Sequence, residues 1–482
     1  MEARALEALG RAVGPGGLIT AVEQLRTYEC DGLTGHRVVP QAVVLPTTTE
    51  QVAACVRVCH RAGIPFVARG AGTGLSGGAL PVAEGIVIGL ARMRSILAID
   101  VDNRRVTVQP GVTNLEVTEA VQDAGYYYAP DPSSQSVCTI GGNVAENSGG
   151  AHCLKYGFTT NHVVGATFVT PDGRIAHLGG MVADAPGYDL LGVVVGSEGT
   201  LGIVTEVVLN ILPRPERVQT LLSAFGSMAD AGRAVSKIIA AGIVPAAIEM
   251  MDRLTITAAE AAVHAGYPDC EAALLVELDG PAAECESLFA LVEAMCREGG
   301  AEEVRVAANP AERALMWKGR KAAFAAMGRI SPDYYVQDGV IPRTRLGEVL
   351  AGIAQLERET GIRVANVFHA GDGNLHPLVL YDGGEPGASD RALAVAGRIL
   401  DICVAEGGSI TGEHGVGTDK ACAMPKMFSA AALEVFARLR RAFDPAGLCN
   451  PGKVLPTPRL CGEVPGPYRV HPLEAAGIAA RM

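Results

Sequence analysis

The sequence predicts an α+β protein with several domains, and three observations support this class. The chain of 482 residues is 49% hydrophobic and only 5% aromatic, with 59 glycines, a composition typical of folded chains with many tight turns. Short segments that suit β-strands are interspersed with amphipathic segments that suit helices. After Pro213–Pro215 the sequence changes from mostly short strand-like segments to strands that alternate with alanine-rich helical segments, so this stretch marks a domain boundary.

The part before this boundary is predicted to contain short strands and two helices. Strands are predicted at 43–45, 64–68, 85–89, 96–101, 105–109 and 202–212, and a hairpin at 163–178. One helix is predicted from 49 to 62, with Thr49 or a neighbour as its N-cap. A second helix is predicted from 114 to 124.

The part after the boundary is predicted to form one antiparallel sheet with helices on one face. Strands are predicted at 221–225 and 273–278, and alanine-rich helices at 228–241, 281–299 and 390–406. The alternation of these elements is the basis for the predicted sheet. The closing stretch from 443 to 456 is predicted to be a loop.

Charge and hydropathy exclude several classes of protein. The formal net charge is −12, and no block of lysine and arginine offers the basic face that phosphate contacts require, so nucleic-acid binding is not expected. No apolar run approaches the ~20 residues of a spanning helix. The start, Met1 to Leu9, lacks a basic region followed by an apolar core, so no secretory signal is expected.

The twelve cysteines are scattered. None forms Cys-x-x-Cys, the close spacing that an iron–sulfur cluster usually needs, so no cluster is expected in this chain. Cys55 and Cys59 lie four apart on a predicted helix and are expected to be buried as small hydrophobic side chains. We therefore expect a reduced, intracellular protein.

Two short glycine-rich segments carry three of the ten histidines. Val367 to His376 contains His369 and His376, and Gly412 to Gly415 contains Glu413 and His414. Imidazole and carboxylate groups suit a borderline divalent metal such as zinc, iron or manganese. On one straight strand, His369 and His376 would point to opposite faces, but the glycines between them permit a bend. The alternative is a turn between two strands with surface histidines.

A second signal is the glycine-rich stretch from Gly70 to Gly78, which suits close approach of a pyrophosphate to backbone N–H groups. It does not lead into a helix as the NAD fingerprint does, because small residues and Pro81 follow. Three further small-residue segments, at 130–133, 141–150 and 196–204, suit a long flat ligand. Each segment alone could be a structural turn.

In combination, these motifs resemble the FAD-linked oxidase family of the vanillyl-alcohol oxidase type. Within it they are similar to the branch that contains D-lactate dehydrogenase, D-2-hydroxyglutarate dehydrogenase and the glycolate oxidase catalytic subunit. The resemblance extends from about Val43 to Pro456. It implies a two-subdomain FAD-binding domain (PCMH type) over residues 1–215, a cap domain with an antiparallel sheet over 216–442, and a segment, 443–482, that returns to the FAD.

The resemblance also implies which residues hold the cofactor. The FAD would be noncovalent, because the glycine-rich loop lacks the histidine that attaches FAD in some relatives. The implied FAD-binding residues are Arg69, Gly70, Ala71, Gly72, Thr73, Gly74, Ser76, Gly77, Gly78, Pro130, Asp131, Ser133, Gly141, Gly142, Asn143, Ala145, Ser148, Gly149, Gly150, Glu198, Gly199, Gly202, Ile203 and Asn450.

A metal site and two catalytic residues follow from the same resemblance. The implied ligands of a divalent metal, zinc first and then iron or manganese, are His369, His376 and Glu413. His414 matches the general base, and Arg320 matches the arginine that binds the substrate carboxylate. Lys321 and Arg343 are further candidates for binding this carboxylate. Val336 stands near where hydroxyglutarate-type members have a lysine, which argues against a second carboxylate on the substrate.

The expected function is therefore FAD-dependent oxidation of a small 2-hydroxy acid. Glycolate is the first candidate substrate and D-lactate the second. The expected electron acceptors are a quinone, oxygen, or a complex with a second flavoprotein-like subunit and an iron–sulfur subunit. That complex would place the protein in the cytoplasm, peripheral at the inner membrane. The alternatives are a noncatalytic flavin-binding subunit and a NAD-dependent dehydrogenase, which the missing first-turn fingerprint disfavours.

Overall fold

A computed structural model describes residues 1–182 and 186–456 of the chain. The last part of the predicted returning segment, 457–482, lies outside the described residues. Two compact units divide the chain. Unit 1 comprises Met1–Gly149, Phe158–Pro213 and the chain from Glu413 onward, and unit 2 comprises Gly150–Gly157 and Arg214–Gly412. The division into domains 1–215, 216–442 and 443–482 stays a prediction.

The strands, in chain order, are β1 (Leu18–Ile19), β2 (Ala42–Val44), β3 (Phe66–Arg69), β4 (Ile86–Gly89), β5 (Ile96–Asp100), β6 (Arg105–Val108), β7 (Tyr126–Tyr127), β8 (Val163–Val169), β9 (Ile175–Gly179), β10 (Ile203–Asn210), β11 (Leu212–Pro213), β12 (Arg217–Phe225), β13 (Ala247–Asp252), β14 (Ala272–Gly280), β15 (Ala301–Val306), β16 (Asp333–Val336), β17 (Gly339–Val340), β18 (Val364–His369) and β19 (Asn374–Tyr381).

The α-helices are α1 (Ala3–Val13), α2 (Val22–Leu25), α3 (Thr49–Ala62), α4 (Asn114–Val121), α5 (Ile140–Glu146), α6 (Cys153–Tyr156), α7 (Leu190–Val194), α8 (Met228–Ala240), α9 (Arg253–Val263), α10 (Ala282–Glu298), α11 (Pro310–Ala326), α12 (Leu346–Thr360), α13 (Ala388–Ala405), α14 (Met424–Met427) and α15 (Ala430–Phe443).

Unit 1 is built on two main sheets. A four-stranded sheet has the order β1-β2-β4-β3, and a five-stranded antiparallel sheet has the order β5-β6-β10-β8-β9. Helix α3 packs on the first sheet through a buried face that includes Val52, Cys55 and Cys59. The helix begins at the cap of Thr48, whose hydroxyl accepts from the Gln51 amide, and ends at a left-handed glycine, Gly63.

Unit 2 is built on one eight-stranded sheet, whose main path is β15-β12-β14-β13-β18-β19-β16, with β17 paired to β19. The strand pairs are antiparallel, as the sequence predicts. Helices cover both faces, however. One core packs against α8, α10, α12 and α13, and the other against α9 and α11. The expectation of helices on one face was wrong, because α9 and α11 were not recognised in the sequence.

Asp252 joins α9 to the sheet of unit 2. Its carboxylate accepts from the Thr255 amide at 2.8 Å as N-cap, and from the Asn366 amide at 2.7 Å. Burial raises the pKa of Asp252 to about 6, and the hydrogen bonds oppose this rise. Between about pH 4 and 6, Asp252 is therefore protonated in the folded state and ionised in the unfolded state. Because of this difference, the free energy of unfolding falls as pH rises through that window.

We expect the Asp252→Asn variant to lack this pH dependence. The free energy of unfolding of the variant minus that of the parent should be larger at pH 7.5 than at pH 4.5, by about 2 kcal/mol. Urea unfolding of both proteins at the two pH values measures the difference. An identical parent-to-variant difference at both pH values would contradict the raised pKa.

The cysteines depart from the sequence prediction at one position. Cys422 is disulfide-bonded, whereas the other ten cysteines of the described chain lie outside disulfides. Cys55 and Cys59 are buried, as expected. A disulfide requires two sulfurs to meet in space, which the spacing of cysteines along a chain does not reveal. Within the described ranges, no helix has the length and apolar character needed to cross a membrane.

Candidate active site

Unit 1 contains a cavity formed where the predicted glycine-rich segments converge. Its lining residues lie between 68 and 79, between 134 and 148 (which includes α5) and between 194 and 204, with Leu90 and Pro110 in addition. The sequence-predicted residues that line it are Arg69, Gly70, Ala71, Gly72, Thr73, Gly74, Gly78, Gly141, Gly142, Asn143, Ala145, Ser148, Glu198, Gly199, Gly202 and Ile203. A cavity lined by these glycine-rich segments suits a cofactor whose phosphates approach backbone N–H groups closely, as expected for FAD.

The remaining predicted cofactor residues do not line this cavity. They are Ser76, Gly77, Pro130, Asp131, Ser133, Gly149, Gly150 and Asn450. Ser76 is fully buried, and its carbonyl accepts from the amides of Thr418 and Asp419. Gly77 has a positive φ of 76°, and a Cβ there would lie 2.3 Å from the Thr418 hydroxyl. These two residues therefore pack against the 417–419 turn.

The first turn of the glycine-rich loop depends on Arg69. The Arg69 guanidinium donates to the Cys30 carbonyl at 2.6 Å. A Cβ on Gly72, whose φ is +73°, would lie 2.2 Å from that guanidinium, so only glycine fits there. Asp31 accepts from the Ala79 amide at 3.2 Å. The segment 30–31 therefore holds both ends of the loop in place.

Asn450 connects two of the cavity loops. Its side-chain amide donates to the Gly78 carbonyl at 2.9 Å and to the Glu198 carbonyl at 2.6 Å. The residue is 1% exposed and has a φ of 45°, a conformation that asparagine tolerates better than most residues. The C-terminal segment thus returns to the cavity loops at the residue that the sequence indicated.

Glu198 holds the segment that carries Glu413 and His414. Its carboxylate accepts from the Val416 amide at 2.7 Å and from the Gly417 amide at 2.6 Å. Burial raises the pKa of Glu198, while these two hydrogen bonds act in the opposite direction. A Cβ on Gly415 would lie 2.1 Å from a Glu146 carboxylate oxygen, so glycine is required there. The side chain of Glu198 therefore fixes the backbone just after His414.

We expect Glu198→Gln to lower kcat by at least about tenfold, because an amide offers one acceptor oxygen to two buried N–H groups. FAD content should stay close to that of the parent. Glu84→Gln, which removes an exposed carboxylate of the same unit, serves as the control. Steady-state turnover and the flavin-to-protein ratio measure both quantities. A loss of FAD equal to the loss of turnover would instead support the predicted role of Glu198 on the adenosine side.

In unit 2, the hairpin of β18 and β19 brings His369 and His376 together. His369 ends β18 and pairs with Asn374, while His376 pairs with Val367. Residues 367 and 369 face the same side of a strand, so both imidazoles lie on one face. Their ring centroids are 5.0 Å apart. The turn before β19, in which Gly373 has a φ of 83°, provides the reversal that the glycines suggested.

Glu249 connects His369 to Arg320. One carboxylate oxygen of Glu249 lies 2.7 Å from Nδ1 of His369, and the other lies 2.5 Å from the Arg320 guanidinium. All three residues are buried, with Glu249 only 1% exposed. A carboxylate on Nδ1 is the usual partner of a metal-binding histidine, because it fixes the ring for ligation through Nε2.

Asp338 lies beside His376, but at Nε2 and not at Nδ1. Its carboxylate lies 3.4 Å from Nε2 of His376. It also accepts from the Thr411 hydroxyl at 2.5 Å and from the Gly412 amide at 3.0 Å. The side chain is fully buried. Asp338 therefore links the histidine pair to the residue that directly precedes Glu413 in the chain.

The other predicted residues have different surroundings. Arg343 donates to the Gly371 carbonyl at 3.0 Å and supports the turn between β18 and β19. Lys321 is exposed on α11. Val336 ends β16 and pairs with Leu378 on β19. Glu413 and His414 belong to unit 1.

Sequence reasoning missed Glu249 and Asp338. Glu249 lies within a run of apolar residues on β13, from Ala247 to Met251, where every residue is buried. A single carboxylate inside such a strand must find a partner, because burying an unpaired charge is costly. That isolated acid was the available signal. Asp338 gave no comparable signal, because its partners Thr411 and Gly412 are 73 and 74 residues away in the chain.

A glycine-lined cavity in unit 1 and a buried histidine pair on the sheet of unit 2 are the features that the sequence led us to expect of a FAD-binding oxidoreductase. Comparison with known families agrees with this class. Residues 40–179 match the family described as FAD binding domain, and residues 214–454 match FAD linked oxidases, C-terminal domain. The chain belongs to the FAD-linked oxidase family.

Individual relatives support the same assignment. The chain is 52% identical to the glycolate oxidase subunit GlcD of Escherichia coli (strain K12), over 93% of this chain and 90% of that protein. It is 34% identical to the D-lactate dehydrogenase of Anaerostipes hadrus, over 86% and 89% of the two chains. The expected FAD-dependent oxidoreductase is confirmed, and both relatives are named for small 2-hydroxy acids, the substrate class that the sequence predicted.

A solved structure gives the same fold. p-Cresol methylhydroxylase with bound substrate aligns with a TM-score of 0.79 at 18% identity, covering 94% of this chain and 96% of that one. The predicted fold, a PCMH-type FAD-binding domain with an antiparallel cap, is confirmed.

Proposed function

We propose that this chain oxidises glycolate to glyoxylate, with D-lactate as the second candidate substrate. The 52% identity to a glycolate oxidase subunit is the observation that carries the proposal. D-lactate stays a candidate because a D-lactate dehydrogenase is 34% identical. Val336, where a lysine would favour a second carboxylate, supports a substrate with a single carboxylate.

Arg320 is the proposed partner of the substrate carboxylate. It is 2% exposed, and its Nε has no hydrogen-bond partner among the residues of the described ranges. Glu249 lies against the same guanidinium and holds it in position. An arginine whose orientation is fixed in this way can offer a planar pair of donors to a carboxylate.

His369, His376 and Glu413 are the proposed ligands of a divalent metal. The donor set suits one, because the two imidazoles are 5.0 Å apart and each has a buried carboxylate beside it. Glu413 follows Gly412 in the chain, and the Gly412 amide donates to the Asp338 carboxylate. The metal would supply Lewis acidity to the α-hydroxyl and carboxylate of the substrate.

His414 is the proposed general base. Oxidation of glycolate removes the hydroxyl proton and the C2 hydride, and the bond order between C2 and its oxygen rises by one. His414 would accept the proton, a role for which a histidine is well suited near neutral pH. FAD would supply the acceptor for the hydride. The hydrogen bonds from Glu198 to the following residues keep the His414 backbone in place.

Turnover with an artificial electron acceptor tests the substrate. Glycolate, D-lactate, L-lactate and D-2-hydroxyglutarate are compared by kcat/KM with the same FAD-loaded protein. Glycolate should give the highest value and D-lactate the second. A preference for D-2-hydroxyglutarate would reject the single-carboxylate substrate. No turnover with any of the four would favour the alternative of a noncatalytic flavin-binding subunit.

Metal removal should abolish turnover and leave FAD in place. Dialysis against a chelator is expected to lower kcat by at least about a hundredfold, because the hydroxyl would lose its Lewis acid. Re-addition of zinc, iron or manganese, each in turn, identifies the metal that restores activity. Metal analysis before and after dialysis is the independent readout. A fully active protein without bound metal would contradict the site.

Partners and location belong to the same proposal. The relative at 52% identity is named as a subunit, which supports assembly with a second flavoprotein-like subunit and an iron–sulfur subunit. Such a complex would pass electrons onward and would lie at the cytoplasmic side of the inner membrane. Co-purification of the tagged chain with an iron–sulfur protein is the expected result.

A further inference from the structure

Unit 2 has a second cavity that the proposed reaction does not use. Its volume is about 590 Å³, within the ~300–1,000 Å³ typical of small-molecule sites. Most of its wall is one face of α11, at positions that recur every four residues. The lining residues are His152, Val263, Arg313, Ala314, Trp317, Lys318, Lys321 and Ala322.

Three lysine and arginine side chains line the cavity; Arg313 is paired with Glu277, whereas the two lysines have no matching acid among the described residues. Lys318 and Lys321 are exposed, and neither has a carboxylate within 4 Å in the described part of the chain. No aspartate or glutamate is among the lining residues. In a protein of formal charge −12, two adjacent uncompensated lysines create a local positive potential that attracts anions.

The floor of the cavity is fixed by a buried acid, Glu277. Its carboxylate accepts from the Trp317 indole at 2.7 Å and from the Arg313 guanidinium at 2.8 and 2.7 Å. His152 stacks on Trp317, with ring centroids 5.6 Å apart. Burial raises the pKa of Glu277, but the hydrogen bonds of His152 and Arg313 lower it further, to a value below the usual range. The floor is therefore held rigidly beneath the lysines.

We propose that this cavity binds a small organic anion with a flat apolar body, an aromatic carboxylate or a phosphate monoester. Val263, Ala314, Ala322 and the Trp317 ring would contact the body. Lys318 and Lys321 would pair with the anionic group. Both group types suit ammonium donors. The site is separate from the proposed substrate partner, because Arg320 does not line the cavity.

The chain offers a direct probe of this cavity. Trp317 is the only tryptophan of the protein, so its emission reports on the surroundings of this cavity. The FAD-loaded protein is titrated with phenyl phosphate, benzoate and uncharged benzyl alcohol. Each phenyl anion should change the emission saturably, and the tighter of the two identifies the anionic group. Benzyl alcohol should bind at least about tenfold more weakly.

Two double variants, each of which removes two positive charges, distinguish recognition of the anion at the cavity from an effect of net charge. Lys318→Gln/Lys321→Gln should lower the affinity for the anion by about tenfold or more, because both charged partners are removed. Lys237→Gln/Lys426→Gln removes two exposed lysines elsewhere and should leave the affinity unchanged. Equal affinity in both double variants, benzyl alcohol binding as tightly as the anions, or no saturable change with either anion would overturn the proposal.

Discussion

Replacing His414 by alanine should lower kcat for glycolate by about 10²- to 10⁴-fold, the usual contribution of a general base. FAD and metal content should stay near the parent values, because no predicted FAD or metal ligand is removed. The loss should be smallest at high pH, where hydroxide can take the proton in place of the imidazole. Steady-state kinetics across pH, with flavin and metal analysis of the same samples, measures all three quantities.

The exposed histidine His36 supplies the control. His36→Ala removes an imidazole from unit 1 and should leave kcat, KM and the pH profile unchanged. A parallel loss of turnover, flavin and metal in His414→Ala would mean that His414 supports the structure instead of accepting the proton.

Replacing Glu249 by glutamine should have the second large effect. The buried Arg320 would lose its counter-charge, and breaking a buried ion pair costs about 3 to 5 kcal/mol of folding free energy. Metal affinity should fall about 10- to 100-fold, because His369 would lose the carboxylate on its Nδ1. Urea unfolding and metal titration of the purified variant measure the two effects separately.

Glu277→Gln is the matched control for this variant. Glu277 lies on β14, the neighbour of β13, and pairs with Ala247, two residues from Glu249. It also holds an arginine of α11, Arg313. This control should lose stability but keep metal affinity, since it has no histidine of the proposed site as partner. Equal metal loss in both variants would contradict a specific role of Glu249.

Local sequence signals predicted α3, α4 and most strands of unit 1, but they missed its other helices, among them α1 (Ala3–Val13). The Thr48 cap, the buried face and the Gly63 stop of α3 are all adjacent in the chain, so the helix could be placed closely. The glycine-rich segments could be named for the same reason. Their convergence on one cavity could not be seen without the family resemblance, since it depends on contacts such as that between Asn450 and Gly78.

The supports of the candidate site were harder to predict. Glu249 and His369 are joined by strand pairing between β13 and β18, which the sequence does not reveal. The family resemblance implied that Glu198 lies on the adenosine side of the FAD, but it did not indicate that the Glu198 carboxylate accepts from the amides of Val416 and Gly417, just after His414. Contacts between distant segments are decided by the packed fold, and so is the disulfide at Cys422.

An anaerobic absorbance titration of the FAD-loaded protein with glycolate tests the central claim most directly. Glycolate should bleach the visible flavin band with a stoichiometry of one, and the bleaching should disappear in His414→Ala and after chelation. Flavin that stays oxidised in the parent protein, with glycolate and D-lactate alike, would contradict the claim that this chain oxidises a small 2-hydroxy acid.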